Sequence, residues 1–435
     1  MRFPPFLLLL PILLVLMGSC GQGDPAPTKE APPLPEDPRL AEAFVTLHSG
    51  DPSACVELGE LGGAGARDAL LGILNAPSPE PARDGPMRLY AAVGLTRLAD
   101  PATAIVLIEA LSKVNPNDNI ASLASEERNQ EYYTVDAQIA DALLTLGLWT
   151  AEEDLVEQMQ RRHRIRVLID AYAVLRRQTG LDLPYHYNGS YEDRIRQSEA
   201  WRSKLRETRA QREKERPFDA GNPQFQKDCR RIVKWLGGKA MNDRLIAHKV
   251  LDRVGRYALP FLEEALTSDR GVDQRQAAYM MGRIGHIDAA PALRRALTVK
   301  DADARGEVVD ALTLVGDKQA FEDVCKAIAD EDPEVRAAVA RYLGASGNAQ
   351  ANEVLRGAVK AEQRPNARAS MLFALLALDE PGVIDDVLEI FVSGDQLERQ
   401  IAERELARAT GRKLAATALD SKEKRSAAAA AFRQG

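Results

Sequence analysis

Aromatic side chains are scarce in this chain of 435 residues, at 5%. That scarcity disfavours the stacked ring platforms that bind carbohydrate or single-stranded nucleic acid. Positive charge is also short: 57 Lys+Arg stand against 64 Asp+Glu, a formal net charge of −7. Bulk nucleic-acid binding, which rests on neutralising phosphates, is therefore not expected. Only four cysteines occur, Cys20, Cys55, Cys229 and Cys325, and no two form Cys-x-x-Cys. This excludes a disulfide scaffold and a cysteine-built zinc site. The five histidines, His48, His163, His186, His248 and His286, include no pair at helical spacing, so no metal is expected. Gly59, Gly62, Gly63 and Gly65 lack the Lys-Ser/Thr that a phosphate-cradling loop needs, and read as a helix-to-helix turn. There is no Gly-x-Ser-x-Gly elbow. Acidic pairs such as Glu152-Glu153 and Asp385-Asp386 fit helix starts, where negative charge stabilises free amides. The expectation is a chain that is not an enzyme, with no catalytic residues and no cofactor. What is present is a 45% apolar fraction, enough for a sizeable folded core.

Arg2 precedes an apolar run, Leu7 to Leu10 and then Ile12 to Met17, which ends at Gly18-Ser19-Cys20. The layout is that of a secretory signal, and the run is shorter than the roughly 20 residues that span a bilayer. The end of the run resembles the lipobox of bacterial lipoproteins, with Met17 where leucine is usual. The resemblance implies removal of residues 1–19 and lipidation of Cys20. Pro25, Pro27, Pro32, Pro33, Pro35 and Pro38 follow, with no apolar periodicity. Residues 20–38 thus read as a lipidated cysteine and a semi-rigid tether. By the same resemblance, Gly21 rather than Asp favours the outer membrane, facing periplasm or surface, as the location in a bacterial cell envelope.

Behind the tether the chain repeats. Gly285, Gly316 and Gly347 are each 31 residues apart, followed by the columns Leu293, Val324 and Leu355 and Ala296, Ala327 and Ala358. Apolar positions within a unit fall at helical spacing, so a unit is a pair of short helices. In the clearest copy, Asp332 can cap free amides, Pro333 suits a first helical position, and Gly347 suits a left-handed end. The run Asp332-Pro333-Glu334-Val335-Arg336 to Gly347 resembles the second helix of a bacterial HEAT repeat, of the kind also found in phycobilisome-lyase-like proteins. Arg88, Arg244, Arg305, Arg336, Arg368 and Arg399 share one place in it, with Gln274 the exception. The resemblance implies that these arginines are structural links between repeats.

A longer duplication overlies the short one at an offset of 231 residues. Leu175, Arg177, Thr179 and Gly180 match Leu406, Arg408, Thr410 and Gly411. The register continues through Leu183 and Leu414, Ser190 and Ser421, Arg194 and Arg425, Trp201 and Phe432, and Arg202 and Arg433. The expected fold is therefore all-α: an α-solenoid of HEAT-like helix pairs in two tandem arrays, residues 39–216 and 217–435. Each is closed by a Ser-capped helix whose large aromatic covers the end of the stack. Pro77, Pro79, Pro81 and Pro86 break the first array once and Asn115 to Asn119 breaks it again, as binding loops or as neutral insertions.

Residues 160–216 carry 15 Lys+Arg against 8 Asp+Glu. The stretch reads as a solvated connecting helix held by pairs such as Arg209–Glu213, or else as a patch for an anionic membrane or an acidic partner. Cys325 shares a register with Arg294 and Arg356 and is expected to be partly exposed, with Val324 buried. The register Lys249, Tyr279, Asp310, Arg341, Phe373 and Arg404 lies on second helices, which line the concave face in HEAT arrays. Aromatics beside arginines there suit interface anchors, and partial burial by array curvature is the competing reading. The functional expectation is a non-catalytic, lipid-anchored scaffold that binds a protein partner of unknown identity through that row and touches the membrane only through its lipid. The alternatives are a lyase-like or ligand-handling HEAT protein, and a structural envelope component that contacts anionic lipid.

Overall fold

The computed structural model describes residues 37–48, 50–75, 81–113, 134–160 and 165–434. The expected signal segment, Cys20, nearly all of the tether, Pro77, Pro79, the Asn115–Asn119 insertion and His163 lie outside the described residues. Among the described residues every regular element is helical and no strand occurs. The N-terminal helices are α1 (Pro38–His48), α2 (Ser53–Leu61), α3 (Gly63–Asn75), α4 (Pro81–Leu98), α5 (Ala104–Lys113), α6 (Val135–Thr145), α7 (Glu152–Met159), α8 (Ile165–Thr179) and α9 (Tyr191–Glu215). Six helix pairs follow: α10 (Pro223–Leu236) with α11 (Met241–Val254), α12 (Leu259–Leu266) with α13 (Gly271–Ile284), and α14 (Ala290–Arg295) with α15 (Ala302–Val315). The last three are α16 (Phe321–Lys326) with α17 (Pro333–Ser346), α18 (Gln350–Ala361) with α19 (Pro365–Ala377), and α20 (Ile384–Ser393) with α21 (Gln396–Thr410). Helix α22 (Lys422–Gln434) closes the chain.

The second helices of successive pairs, α11, α13, α15, α17, α19 and α21, pack side by side, each against the next. Each first helix packs on the second helix of its own pair, forming the other layer. Helices α2, α4, α6 and α8 stack in the same way. This is an α-solenoid. Its apolar core is one continuous cluster from Ala43 to Phe432, because no helix pair can cover its own apolar stripe. The N-terminal and C-terminal helices meet where α5 packs against α10 and α11.

The repeat motif places its residues as the physics of helix ends requires. Asp332 accepts the Glu334 N–H at 2.8 Å, Pro333 opens α17, and Gly347 ends it at φ 64°. Gly285 and Gly316 close α13 and α15 with the same left-handed backbone. Pro81 opens α4 and Pro86 lies in its second turn, so these two prolines do not break the array as expected. A proline early in a helix removes few or no intrahelical bonds. Gly59, expected in a turn, instead sits inside α2 against α4, where an added Cβ would meet the Gly94 carbonyl oxygen at 2.2 Å.

The arginine column does structural work. Arg336 Nη1 donates to the carbonyls of Asp330 and Glu331 at 2.8 and 3.1 Å, groups that end the preceding helix. Arg305 does the same to Val299 and Lys300, and Arg244 to Gly238 and Lys239. Gln274 Nε2 reaches the Ser268 carbonyl at 2.7 Å, so the one exception keeps the bond but loses the charge. Arg336 then pairs through Nε and Nη2 with Glu362, and Arg305 with Asp330, which ties each repeat to its neighbour. The Arg336 hydrogen bond holds the Glu362 carboxyl below its usual value. That stabilisation is complete above the ordinary carboxylate range and is lost as pH falls through the lowered folded value. Arg336→Ala is expected to cost about 2 kcal/mol at pH 7, the scale of charge-assisted hydrogen bonds. Urea unfolding at pH 7 and pH 3.5 checks it: the difference from the parent should shrink at the lower pH.

The long duplication is visible in atomic detail. Thr179 and Thr410 each donate Oγ1–H to the carbonyl four residues back, at 2.7 Å in both copies. Gly180 and Gly411 share φ 68°. Arg194 and Arg425 each donate Nη1–H to the carbonyl five residues back, Gly189 and Asp420. Arg202 reaches Glu153 in the first turn of α7 at 2.9 Å, and Arg433 reaches Asp385 in the first turn of α20 at 2.7 Å. Trp201 is fully buried and Phe432 nearly so.

Candidate functional site

The second helices carry the row read from sequence on one side of the stack. Lys249, Arg341 and Arg404 are exposed, Tyr279 is 37% exposed, and Asp310 and Phe373 are half-buried. Arg341 Nε and Nη2 donate to the two Asp310 oxygens at 2.9 and 2.7 Å, a bidentate pair that joins α17 to α15. The Tyr279 ring meets the His248 ring edge-on, with centroids 5.5 Å apart, and Arg283 lies 5.9 Å from it. Phe373 packs against the core, and Arg404 pairs with its own neighbour Glu405 at 3.0 Å. The row is thus distributed along six helices, with Asp310 and Arg341 its one direct internal pair.

Two turns earlier on the same helices lies a second register, Val272, Asp303, Glu334, Asn366 and Leu397, each seven residues before a member of the row. Sequence reading missed it, although the seven-residue offset was available as a signal. Val272 is 40% and Leu397 65% exposed, and on α11 Met241 and Leu245 are 67% and 50% exposed. Leu314 on α15, 64% exposed, adjoins α13: a Cβ added at Gly282 would meet its Cδ1 at 3.1 Å. Arg275 pairs with Asp303 at 3.2 Å, Asn366 donates to Glu334, and Arg283 pairs with Asp252. Glu307, half-buried between these groups on α15, has no hydrogen bond or ion pair among the described residues. Burial pushes its carboxyl up, Asp310 adds to this, and Arg275 and Arg341 act against it.

A second region lies where α7, α9, α11 and α13 converge, a cleft of about 540 Å³. Its lining includes Arg206, Arg209, Arg253, Arg256 and Arg283. Each is already paired: with Glu153, Glu152, Asp154, Glu213 and Asp252 respectively. Deeper in, Arg212 is buried and donates to Glu152, which is fully buried at the start of α7. The sequence expectation that Arg209 pairs with Glu213 is corrected, because the two guanidinium groups face α7 and α9's charge is spent across helices. Those pairs tie α9 to α7 and to the turn after α11, and α11 to α7, among the described residues.

Cys325 is half-buried and Val324 fully buried, as the register implies. Cys55 and Cys229 are buried, and burial pushes the Cys55 thiol up to about 12, which keeps it an unreactive thiol. Among the described residues no group of three or more His, Cys, Asp or Glu is placed to hold a metal ion, and no helix is long and apolar enough to cross a membrane.

The paired helices, the left-handed glycine ends and the arginine links coincide with a family match. Residues 259–330, 299–376 and 321–407 each match HEAT repeats. The chain carries HEAT repeats. It is 32% identical over 83 residues to deoxyhypusine hydroxylase of Saccharomyces cerevisiae, covering 18% of this chain and 25% of that protein. The HEAT-bearing chain thus spans a quarter of that relative's length. The reading of the chain as not an enzyme is corrected by this relative, which is itself a hydroxylase: repeats of this type do not exclude catalysis. Among solved structures, Kap121p bound to Pho4p aligns with TM-score 0.37 and 10% identity, over 92% of this chain and 44% of that one. The complex of CpcE and CpcF of phycocyanin lyase from Nostoc sp. PCC7120 aligns with TM-score 0.31 and 17% identity, over 48% and 83%. Human deoxyhypusine hydroxylase gives TM-score 0.25 and 17% identity, over 70% and 96%. At these scores the HEAT assignment rests on the repeats themselves.

Proposed function

We propose that this HEAT protein is a protein-binding scaffold that presents the face of its second helices to a partner, tethered to a bacterial cell envelope through lipid on Cys20. The observation that supports the binding reading is the row itself. It exposes Tyr279, and Met241, Leu245, Val272 and Leu314 are exposed on the same three helices, α11, α13 and α15, whose other large apolar side chains are buried or half-buried. Clustered exposed apolar groups rimmed by charge are where partners seat. The lipid anchor rests on Gly18-Ser19-Cys20 after the apolar run, and the proline-rich residues 24–38 would hold the solenoid off the bilayer. The two tandem arrays, each closed by the same terminal unit, belong to this proposal.

A photo-crosslinking side chain at position 279, in cells expressing the full chain, is the test. A discrete protein adduct is expected at 279 and none at position 295 on the other layer. Equal capture at both positions, or none at 279, would remove the reading. Mass spectrometry of the mature chain should find an acylated Cys20 at its start, and Cys20→Ser should release the protein from membranes. An unmodified first residue would remove the anchor alone.

A further inference from the structure

The inference deepens that reading of the second-helix face and rests on it. On that face each carboxylate but one has a partner. Asp252 has Arg283, Asp303 has Arg275, Asp310 has Arg341, and Glu334 has Asn366. Glu307 has no hydrogen bond or ion pair among the described residues, although Arg275 and Arg341 are near enough to be felt. Exposed apolar side chains share the face with these charges. Leu314 stands seven residues further along α15, on the same side of the helix, and Val272 and Tyr279 stand on the adjoining α13. Met241 and Leu245 extend the patch onto α11. A half-buried carboxylate whose neighbouring arginines are paired with other carboxylates is costly in the free protein, and a cation brought to it inside an apolar contact is worth more than one at a wet rim.

We propose that the partner seats an amphipathic helix here whose apolar side carries one Lys or Arg, and that this cation pairs with Glu307 while the flanking apolar residues cover Val272, Tyr279 and Leu314. Apolar groups at helical spacing on the ligand match a patch formed by parallel second helices, the helix-in-groove mode of recognition. Lys249, exposed on α11 and without an ion pair among the described residues, offers a charge to any carboxylate of the ligand at that end. An anionic lipid surface fits poorly, because Glu307 would meet charge of its own sign.

Three labelled synthetic helical peptides of 16 residues serve as probes on the full chain. They share one apolar side of leucines and a neutral polar side, and differ at one central apolar-side position: Lys, Glu or norleucine. Fluorescence anisotropy is expected to rank Lys above norleucine above Glu, with about tenfold between the ends of the series, the scale of a single partly desolvated ion pair. Glu307→Gln should erase the preference for Lys, and Glu307→Lys should turn it towards Glu. Tyr279→Ser and Leu314→Ser should weaken all three peptides alike. A Lys preference that survives Glu307→Gln overturns the proposal. Three peptides that bind equally, yet lose affinity with Tyr279→Ser, overturn it while leaving the face as a binding surface. Serine variants that bind every peptide unchanged overturn the face as well. Circular dichroism of each variant should show unaltered helix content, since Glu307 makes no hydrogen bond or ion pair among the described residues.

Discussion

Trp201→Ala is expected to cost 3–5 kcal/mol, the range for emptying a fully buried large aromatic site. Trp201 is completely enclosed on α9, with the Tyr172 ring edge-on at 5.8 Å and Tyr185 stacked obliquely on Tyr172 at 5.6 Å. Tyr185 in turn donates its hydroxyl to the Met159 carbonyl at 2.5 Å, so the cluster is clamped to the end of α7 and has little freedom to collapse into a cavity. The indole N–H of Trp201 finds no acceptor among the described residues, a buried donor left unsatisfied. Trp201→Phe removes that donor along with some volume, and should cost less than about 1.5 kcal/mol. Phenylalanine is what the second copy uses: Phe432 occupies the equivalent place, with Arg412 4.1 Å above its ring. Phe432→Ala should cost less than Trp201→Ala, since the ring is smaller and less completely buried. Urea denaturation of the three variants provides the ranking. If Trp201→Phe proves as damaging as Trp201→Ala, the closing role of this side chain is not a matter of filled volume.

Local signals in the sequence carried the solenoid. The 31-residue spacing of Gly285, Gly316 and Gly347 became three left-handed helix ends, and the Asp332-Pro333 start became a capped helix. Such features depend on contacts within a few residues, which spacing encodes. The 231-residue duplication survived for the same reason: Thr179 and Thr410, or Arg194 and Arg425, bond to carbonyls four or five residues away. Pairings between distant helices were not legible. Arg209 has Glu213 one turn away, yet it turns to Glu152, 57 residues back, because α9 lies on α7. Glu307 looked like one acid among many on α15, and its isolation appears only once Asp303 and Asp310 are seen to be taken by neighbours. The expectation that the chain is not an enzyme was weaker still. It reasoned from missing motifs, and repeats of this kind also build a hydroxylase.

Arg212→Ala should destabilise the chain by an amount that grows with pH, reaching about 3–5 kcal/mol at pH 8, the cost of leaving a buried charge without its partner. Glu152 is fully buried, and burial pushes its carboxyl up to about 7 against the pull of Arg212 and Arg209. The folded state therefore holds a proton between about pH 4.5 and pH 7 that the unfolded chain has already lost. It follows that the Glu152 contribution to stability falls as pH rises through that window, by about 3 kcal/mol in all. Removing Arg212 takes away the closest cation and raises the folded value further, so the decline continues above pH 7 in the variant where it has levelled off in the parent. Near pH 5.5 the carboxyl is neutral in both proteins. The remaining loss is then that of the Arg212 contacts to the Thr208 hydroxyl, to the Leu205 carbonyl, 2.9 Å away, and to the Trp149 ring at 5.1 Å. Adding Glu152→Gln to Arg212→Ala should recover most of the loss at pH 8 and little at pH 5.5, because a neutral amide leaves no charge to strand. Urea unfolding from pH 5.5 to pH 8.5 on the parent, both single variants and the double variant measures the coupling. A loss that stays constant over that range, or shrinks as pH rises, would mean that Glu152 does not change its protonation state there and that no newly stranded charge underlies the loss.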